Sequence, residues 1–322
     1  MMEENEKRDW IKFIKRIILF SIIAVICFLI VNSIYTNNIL IKKGAFRAEN
    51  VFIENKDNIS ILFIGDSHPA NAINSDFIPN SFNYAVGGEK YSQNFFKLRN
   101  ALKQTDNIKV IVMTVDLNSL TDQEESNSFD CCIWYWKKFM TFKEIESLAK
   151  ISKFDTYIVG YLPLISSGDY IGSYLLDSLN KKIKTEYNST KQEINFTSSA
   201  EYEVRVQFSN YTSELNTIQY KYFLKSFNLA KEKNKTIILI NYPVTKEYIA
   251  EAENGGVNFS QYNNLIKELI ENNEEVYLLE YSNFTEEIKL YKDADHLNNE
   301  GAEIFSKQLY EDLIDNKIVN EK

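Results

Sequence analysis

Two short segments of this chain hold residue types suited to acyl chemistry. Gly65-Asp66-Ser67-His68 closes an apolar run, residues 59–64, that reads as a buried strand ending in a tight turn. A serine on such a turn is exposed among backbone N–H groups that can face a developing oxyanion, which is what a nucleophile needs. The same tripeptide is also a good generic turn or helix cap. Far downstream stands Asp293-Ala294-Asp295-His296. A carboxylate three residues before a histidine reaches Nδ1 within one turn of chain and leaves Nε2 facing a nucleophile. A solvated helix start is the plainer reading of Asp-x-x-His, but the chain has 2 histidines and one of them stands here. Ser67, Asp293 and His296 are therefore the candidate triad. Asp295 is expected to face solvent or to make a secondary polar contact. His68 is the rival base. Adjacent side chains diverge, so a rim or substrate contact is expected of it instead. The two histidines are far apart in sequence and the carboxylates are scattered, so no metal-ligand spacing is read and no metal or cofactor is expected.

The elements that must position these residues can be read from apolar patterning. Residues 82–86 form a second short strand candidate closed by Gly87-Gly88, and residues 108–115, rich in β-branched side chains, the clearest one. Residues 236–240 and 275–280 read as further strands. Helices are expected over the stripe Tyr91, Phe95, Leu98, Leu102, over residues 220–233, and after Asn298, an N-cap ahead of the stripe Ala302, Phe305, Leu309, Leu313. Strands alternating with helices predict an α/β fold, a parallel sheet of about five strands covered on both faces, with ligands at the carboxyl ends of its strands. Residues 119–210 break the alternation and read as an insertion. Its cluster Trp134-Tyr135-Trp136 is expected to be core packing or a dimer contact, rather than a sugar platform or membrane belt. No internal repeat is found.

A net charge of -9 disfavours a nucleic-acid partner. Cys27, Cys131 and Cys132 imply no disulfide framework. Residues 17–35 form an apolar run just long enough to cross a bilayer as a helix. Lys7, Arg8, Lys12, Lys15 and Arg16 precede it, against Lys42, Lys43 and Arg47 after it. The positive-inside bias predicts a cytoplasmic tail at 1–16, a single uncleaved anchor at 17–35, a stalk at 36–55 and an extracytoplasmic domain at 56–322. A cleaved leader would want a shorter apolar core and a small-x-small site. A lipoprotein site would want a small residue where Ile26 precedes Cys27. A buried core helix is the remaining alternative.

Ser67 in Gly-Asp-Ser after the first strand, and Asp293-x-x-His296 before the last helix, resemble the first and last blocks of the SGNH (GDSL-like) hydrolases over roughly residues 58–316. The resemblance implies a three-layer sandwich and an oxyanion hole. Asn83-Tyr84-Ala85-Val86-Gly87-Gly88 looks like the second block, which would make Gly88 an oxyanion donor. Asp116-Leu117-Asn118-Ser119 stands where the third block, Gly-x-Asn-Asp, is expected. Asn118 would be the side-chain donor there, although the flanking Gly and Asp are missing.

The implied reaction is acyl transfer through an acyl-serine to water or to a hydroxyl of a glycan. The anchor and the ending Asp-x-x-His-Leu-Asn-x-x-Gly-Ala-x-x-Phe-Ser look similar to envelope proteins of alginate O-acetylation and teichoic-acid D-alanylation. Those work beside a multi-spanning membrane acyltransferase, and the resemblance implies such a partner. A lipase or esterase on small or lipid esters, and a non-catalytic envelope scaffold, are the rival classes.

Overall fold

The computed structural model describes residues 2–40, 44–115, 120, 133–149, 153–166, 195–209, 217–273 and 275–320. The chain divides into two compact units: residues 1–47 with 129–187, and residues 48–128 with 188–322. The stretch 119–210 is thus shared between both.

The larger unit is an α/β fold on five parallel strands: β1 Ile61–Ile64, β2 Ser81–Asn83, β3 Val110–Thr114, β4 Thr236–Asn241 and β5 Val276–Glu280. They lie in the order β2-β1-β3-β4-β5, all parallel. The strand positions agree with the apolar runs to within a few residues. Alternate strand residues point to opposite faces, and both sets are buried. Ile61, Phe63, Val110, Val112, Ile238 and Ile240 pack with Phe305, Leu309 and Leu313 of the last helix. Leu62, Ile111, Met113, Ile237 and Leu239, on the other set, are equally buried. Strands buried on both faces read as continuous apolar runs, and that made them legible.

In chain order the helices are α1 Met2–Tyr35, α2 Gly44–Asn55, α3 Ser67–Ala72 and α4 Tyr91–Gln104. Then follow α5 Ile133–Trp136, α6 Phe142–Ala149, α7 Lys153–Tyr161 and α8 Pro163–Ser166. The last are α9 Phe196–Gln207, α10 Ile218–Glu232, α11 Lys246–Asn254, α12 Ser260–Glu271 and α13 Asn299–Asp315. Asn298 caps α13 as expected, its Oδ1 accepting from the amides of Glu300 and Gly301, each at 3.0 Å.

In the smaller unit, α1 is long and apolar enough to cross a membrane and is almost wholly exposed. Near its end the Asn32 amide donates to the Tyr161 carbonyl at 3.1 Å and its Oδ1 accepts from Leu164 N–H at 3.0 Å. Trp134, Tyr135 and Trp136 are buried, with Phe139 stacked edge-on against Tyr135. That cluster is core packing.

Candidate functional site

The strand order reverses direction between β1 and β3, and in open parallel sheets the crevice outside such a switch point receives ligands. Ser67 stands there, as the first residue of α3 directly after β1. The turn is tight because Gly65 passes close to β3. A Cβ at Gly65 would lie 2.1 Å from Thr114 Oγ1 and 2.5 Å from Pro69 Cγ, so only glycine fits. Asp66 caps α3, its Oδ1 accepting from His68 N–H at 3.0 Å. The turn residue and the nucleophile candidate are thus adjacent but separate in role.

The second block folds over this turn. Asn83 Nδ2 donates to the carbonyls of Pro69 (2.8 Å) and Ile73 (3.0 Å), and Asn83 Oδ1 accepts from Ala85 N–H at 3.2 Å. This brings Gly87 beside Ser67: a Cβ there would lie 3.7 Å from Ser67 Cβ. Gly88 adopts a left-handed φ of 78°, which favours glycine. Beneath the loop, Lys97 is wholly buried and donates to Glu89 Oε2 at 2.7 Å and to the Tyr84 carbonyl. Burial pushes the Glu89 carboxyl up, opposed by the Lys97 charge. This buried pair fixes the start and the end of the glycine loop, and nothing in the sequence pattern had marked it.

The last block is a clipped loop. Tyr291 and Leu297 pair across it, and Lys292 N–H donates to the His296 carbonyl at 3.0 Å. Asp293 Oδ1 accepts from His296 N–H at 2.8 Å and lies 2.9 Å from His296 Nδ1. The loop tip is held from outside as well. The Ala294 carbonyl accepts from Thr245 Oγ1 at 2.8 Å, and Ala294 N–H donates to Ser199 Oγ at 3.0 Å. Lys292 Nζ donates to Asn71 Oδ1 at 2.8 Å, and Asn71 Nδ2 donates to the Ser67 carbonyl at 2.6 Å. That relay joins the first block directly to the last. Ser306 of α13 adds a second tie, accepting from Asn74 N–H at 2.9 Å and donating to the Ala72 carbonyl at 3.2 Å.

For two residues the sequence left alternatives open, and burial removes one of each. Asp295 does not face solvent: it is fully buried, its Oδ1 lies 3.0 Å from His296 Nδ1, and its Oδ2 accepts from Gln207 Nε2. Spacing along the loop carries no sign of this, because α9 arrives over the loop and supplies Gln207. His68 is buried rather than at the rim. Its ring centroid lies 5.3 Å from that of His296, and its Nε2 lies 3.8 Å from Asp295 Oδ2. Chain separation therefore said nothing about histidine proximity. His68, Asp295 and His296 bring one ligand atom each within 4.8 Å of one another.

Electrostatically the loop is a negative cradle for one imidazole. Burial opposes charge on His296, but hydrogen bonds to Asp293 and Asp295 and the Asp295 charge outweigh it and raise its pKa above 6.5. Burial likewise opposes ionisation of Asp295. The contact to His296 and the two histidine charges prevail and hold its carboxyl far below the usual range. Glu203, half-buried on α9, is pushed up by burial and then by the Asp295 and Asp293 charges. His296 Nε2 is buried and hydrogen-bonds nothing among the described residues. The histidine–carboxylate half of the candidate triad is thus assembled, while a Ser67–His296 hydrogen bond is not formed in this state. Such bonds tighten when substrate binds. Asn118 lies outside the described residues.

No protein-family model matches the chain, and no curated protein sequence matches it.

Proposed function

We propose that the chain is a membrane-anchored, SGNH-type serine enzyme that moves an acyl group to or from a hydroxyl of a cell-envelope glycan. The observation that carries this reading is the Lys292–Asn71–Ser67 relay. It ties a histidine already paired with carboxylate to the helix that begins with the serine. Ser67 Oγ attacks the ester carbonyl while His296 Nε2 takes its proton, Asp293 fixing the Nδ1–H tautomer and the ring. Collapse of the tetrahedral adduct breaks the ester C–O bond, and His296 returns the proton to the leaving alkoxide. Water or a sugar hydroxyl then gives its proton to His296 and attacks the acyl-serine carbonyl, and the acyl–Ser67 Oγ bond breaks as His296 returns that proton to Oγ. The backbone amides of Gly88 and Ser67 and the side chain of Asn118 are the proposed oxyanion donors.

The anchor reading is supported by Asn32. Its two hydrogen bonds make the end of α1 a packed part of the smaller unit, as a removable leader would not be. A single span cannot carry an acyl group across a bilayer. A multi-spanning acyltransferase partner is therefore part of the proposal, with the amino terminus cytoplasmic and the sheet unit outside.

One observation favours a second reading: His68, Asp295 and His296 form a possible metal triad. It would occupy the histidine that the serine needs. The full-length protein in detergent, assayed with p-nitrophenyl acetate beside Ser67→Ala, separates the two. Turnover lost in the variant and kept in EDTA supports the serine mechanism. Turnover kept in the variant but lost in EDTA selects the metal site. Equal background from both proteins would leave the non-catalytic scaffold.

A further inference from the structure

Next to the site lies a cavity of about 420 Å³ at the carboxyl ends of β4 and β5. Asn241 and Glu280 stand at those strand ends, Tyr248 and Glu253 come from α11, Tyr262 from α12, and His68 closes one side. The wall is built in continuity with the candidate triad. The Tyr248 hydroxyl donates to Gln207 Oε1, and Gln207 Nε2 donates to Asp295, which touches His296. The Tyr262 ring is fixed by its hydroxyl donating to the Val115 carbonyl at 2.7 Å, and Glu280 Oε2 accepts from Asn241 Nδ2 at 3.0 Å.

The lining has a definite chemistry. Phe208, Tyr248, Phe259 and Tyr262 bring four aromatic rings to the wall, and Asn241, Asn263 and Asn283 bring amide groups. Glu253 and Glu280 are exposed and carry negative charge, and no Lys or Arg is among the described lining residues. Aromatic faces stack on the C–H faces of sugars and attract ammonium groups. Carboxylates accept hydroxyls or pair with a cation. A ligand bearing a carboxylate or phosphate would meet two like charges with no Lys or Arg to balance them, and the basic lining residue His68 lies against Asp295, its Nε2 3.8 Å from Oδ2. The volume lies in the lower part of the range of small-molecule sites, about 300–1,000 Å³, enough for a sugar ring and its substituents.

We propose that this cavity holds the acceptor sugar and selects rings without an anionic group, amino sugars above all. The proposal rests on the acyl-transfer reading for the word acceptor. It disfavours uronates and polyol phosphates, the acceptor types that the sequence resemblance would imply. Because both glutamates are exposed, the selectivity is of surface electrostatic size and falls with added salt.

The test is binding to the full-length protein in detergent by saturation-transfer NMR and calorimetry. The probes are glucosamine disaccharide, N-acetylglucosamine disaccharide, glucuronate and glycerol 3-phosphate. The expected result is glucosamine disaccharide bound tightest, about tenfold better than glucuronate at low salt, a modest sum of two screened charges. The preference should shrink severalfold in Glu253→Gln/Glu280→Gln and at high salt, and persist in Ser67→Ala. Glucuronate or glycerol 3-phosphate binding as well as the amino sugar would overturn the assignment. So would a preference untouched by the double variant, or no binding by any probe. Selective amino-sugar binding by a protein whose Ser67 proves unreactive would retain the cavity assignment and remove the acyl-transfer reading. A reactive Ser67 with no such selectivity would do the reverse.

Discussion

At the scale of single residues, His296 is governed by two carboxylates that do different things. Asp293 holds both the His296 N–H and Nδ1, while Asp295, hydrogen-bonded to the same ring, adds buried negative charge held in place by Gln207. In the proposed mechanism His296 is the general base and works in its neutral form, so its raised pKa delays activity as pH rises. The acid limb of kcat/KM is expected to have its midpoint above the ordinary histidine value of about 6.5. Asp295→Asn should move that midpoint to lower pH. Asp293→Asn should in addition cut kcat by about 10²–10⁴-fold through loss of the tautomer. pH–rate profiles of the three proteins check this, and a midpoint unmoved by Asp295→Asn would show that its charge does not reach the ring. Glu89 and Lys97 carry a stability prediction instead. Lys97→Met leaves a buried carboxylate unpaired and should cost about 3–5 kcal/mol in urea unfolding, with much of it restored by Lys97→Met/Glu89→Leu. The Asp293–His296 contact was legible because a three-residue spacing stays within one turn of chain, and the turn at Ser67 because Gly-Asp-Ser closes an apolar run. Asp295, Gln207 and the Glu89–Lys97 pair were not, because their partners come from elements distant in sequence or hidden behind a loop.

At the scale of elements, the strands announced themselves as short apolar runs because both sheet faces are covered. The last helix did so through its cap and stripe. Two helices between β4 and β5, α11 and α12, went unread: their sequence is rich in Asn and Glu, and Gly255-Gly256 interrupts it. Gly301 shows how tightly α13 seats the loop that carries Asp293 and His296. A Cβ at that position would lie 2.3 Å from the Leu290 carbonyl oxygen, a backbone atom that cannot yield cheaply. Gly301→Ala is expected to cost about 1–3 kcal/mol and to lower Tm by about 3–10 °C. An unchanged melting curve would mean that the loop is looser than its hydrogen bonds imply. Since Leu290 also accepts from Asn298 N–H at 2.9 Å, the same substitution should reduce activity along with stability.

At the scale of the whole molecule, the described residues form two units of different character, one carrying the long apolar helix and the other the five-stranded sheet. An uncleaved anchor predicts that the protein stays in the membrane fraction through alkaline carbonate washing and keeps its amino-terminal residues in intact mass. Release with a shortened mass would identify a processed leader. The sheet unit could be anticipated from the alternation of strands and helices, whereas the sharing of the described residues of 119–210 by both units could not, since no periodic pattern marks it. The central claim is that Ser67 is an activated nucleophile, and it is tested most directly by treating the full-length protein with a fluorophosphonate probe and mapping the adduct by mass spectrometry. The account predicts stoichiometric modification of Ser67 that fades as His296 becomes protonated and is absent in His296→Ala. Labelling no faster than in the denatured protein, or spread over surface serines and tyrosines, would contradict it.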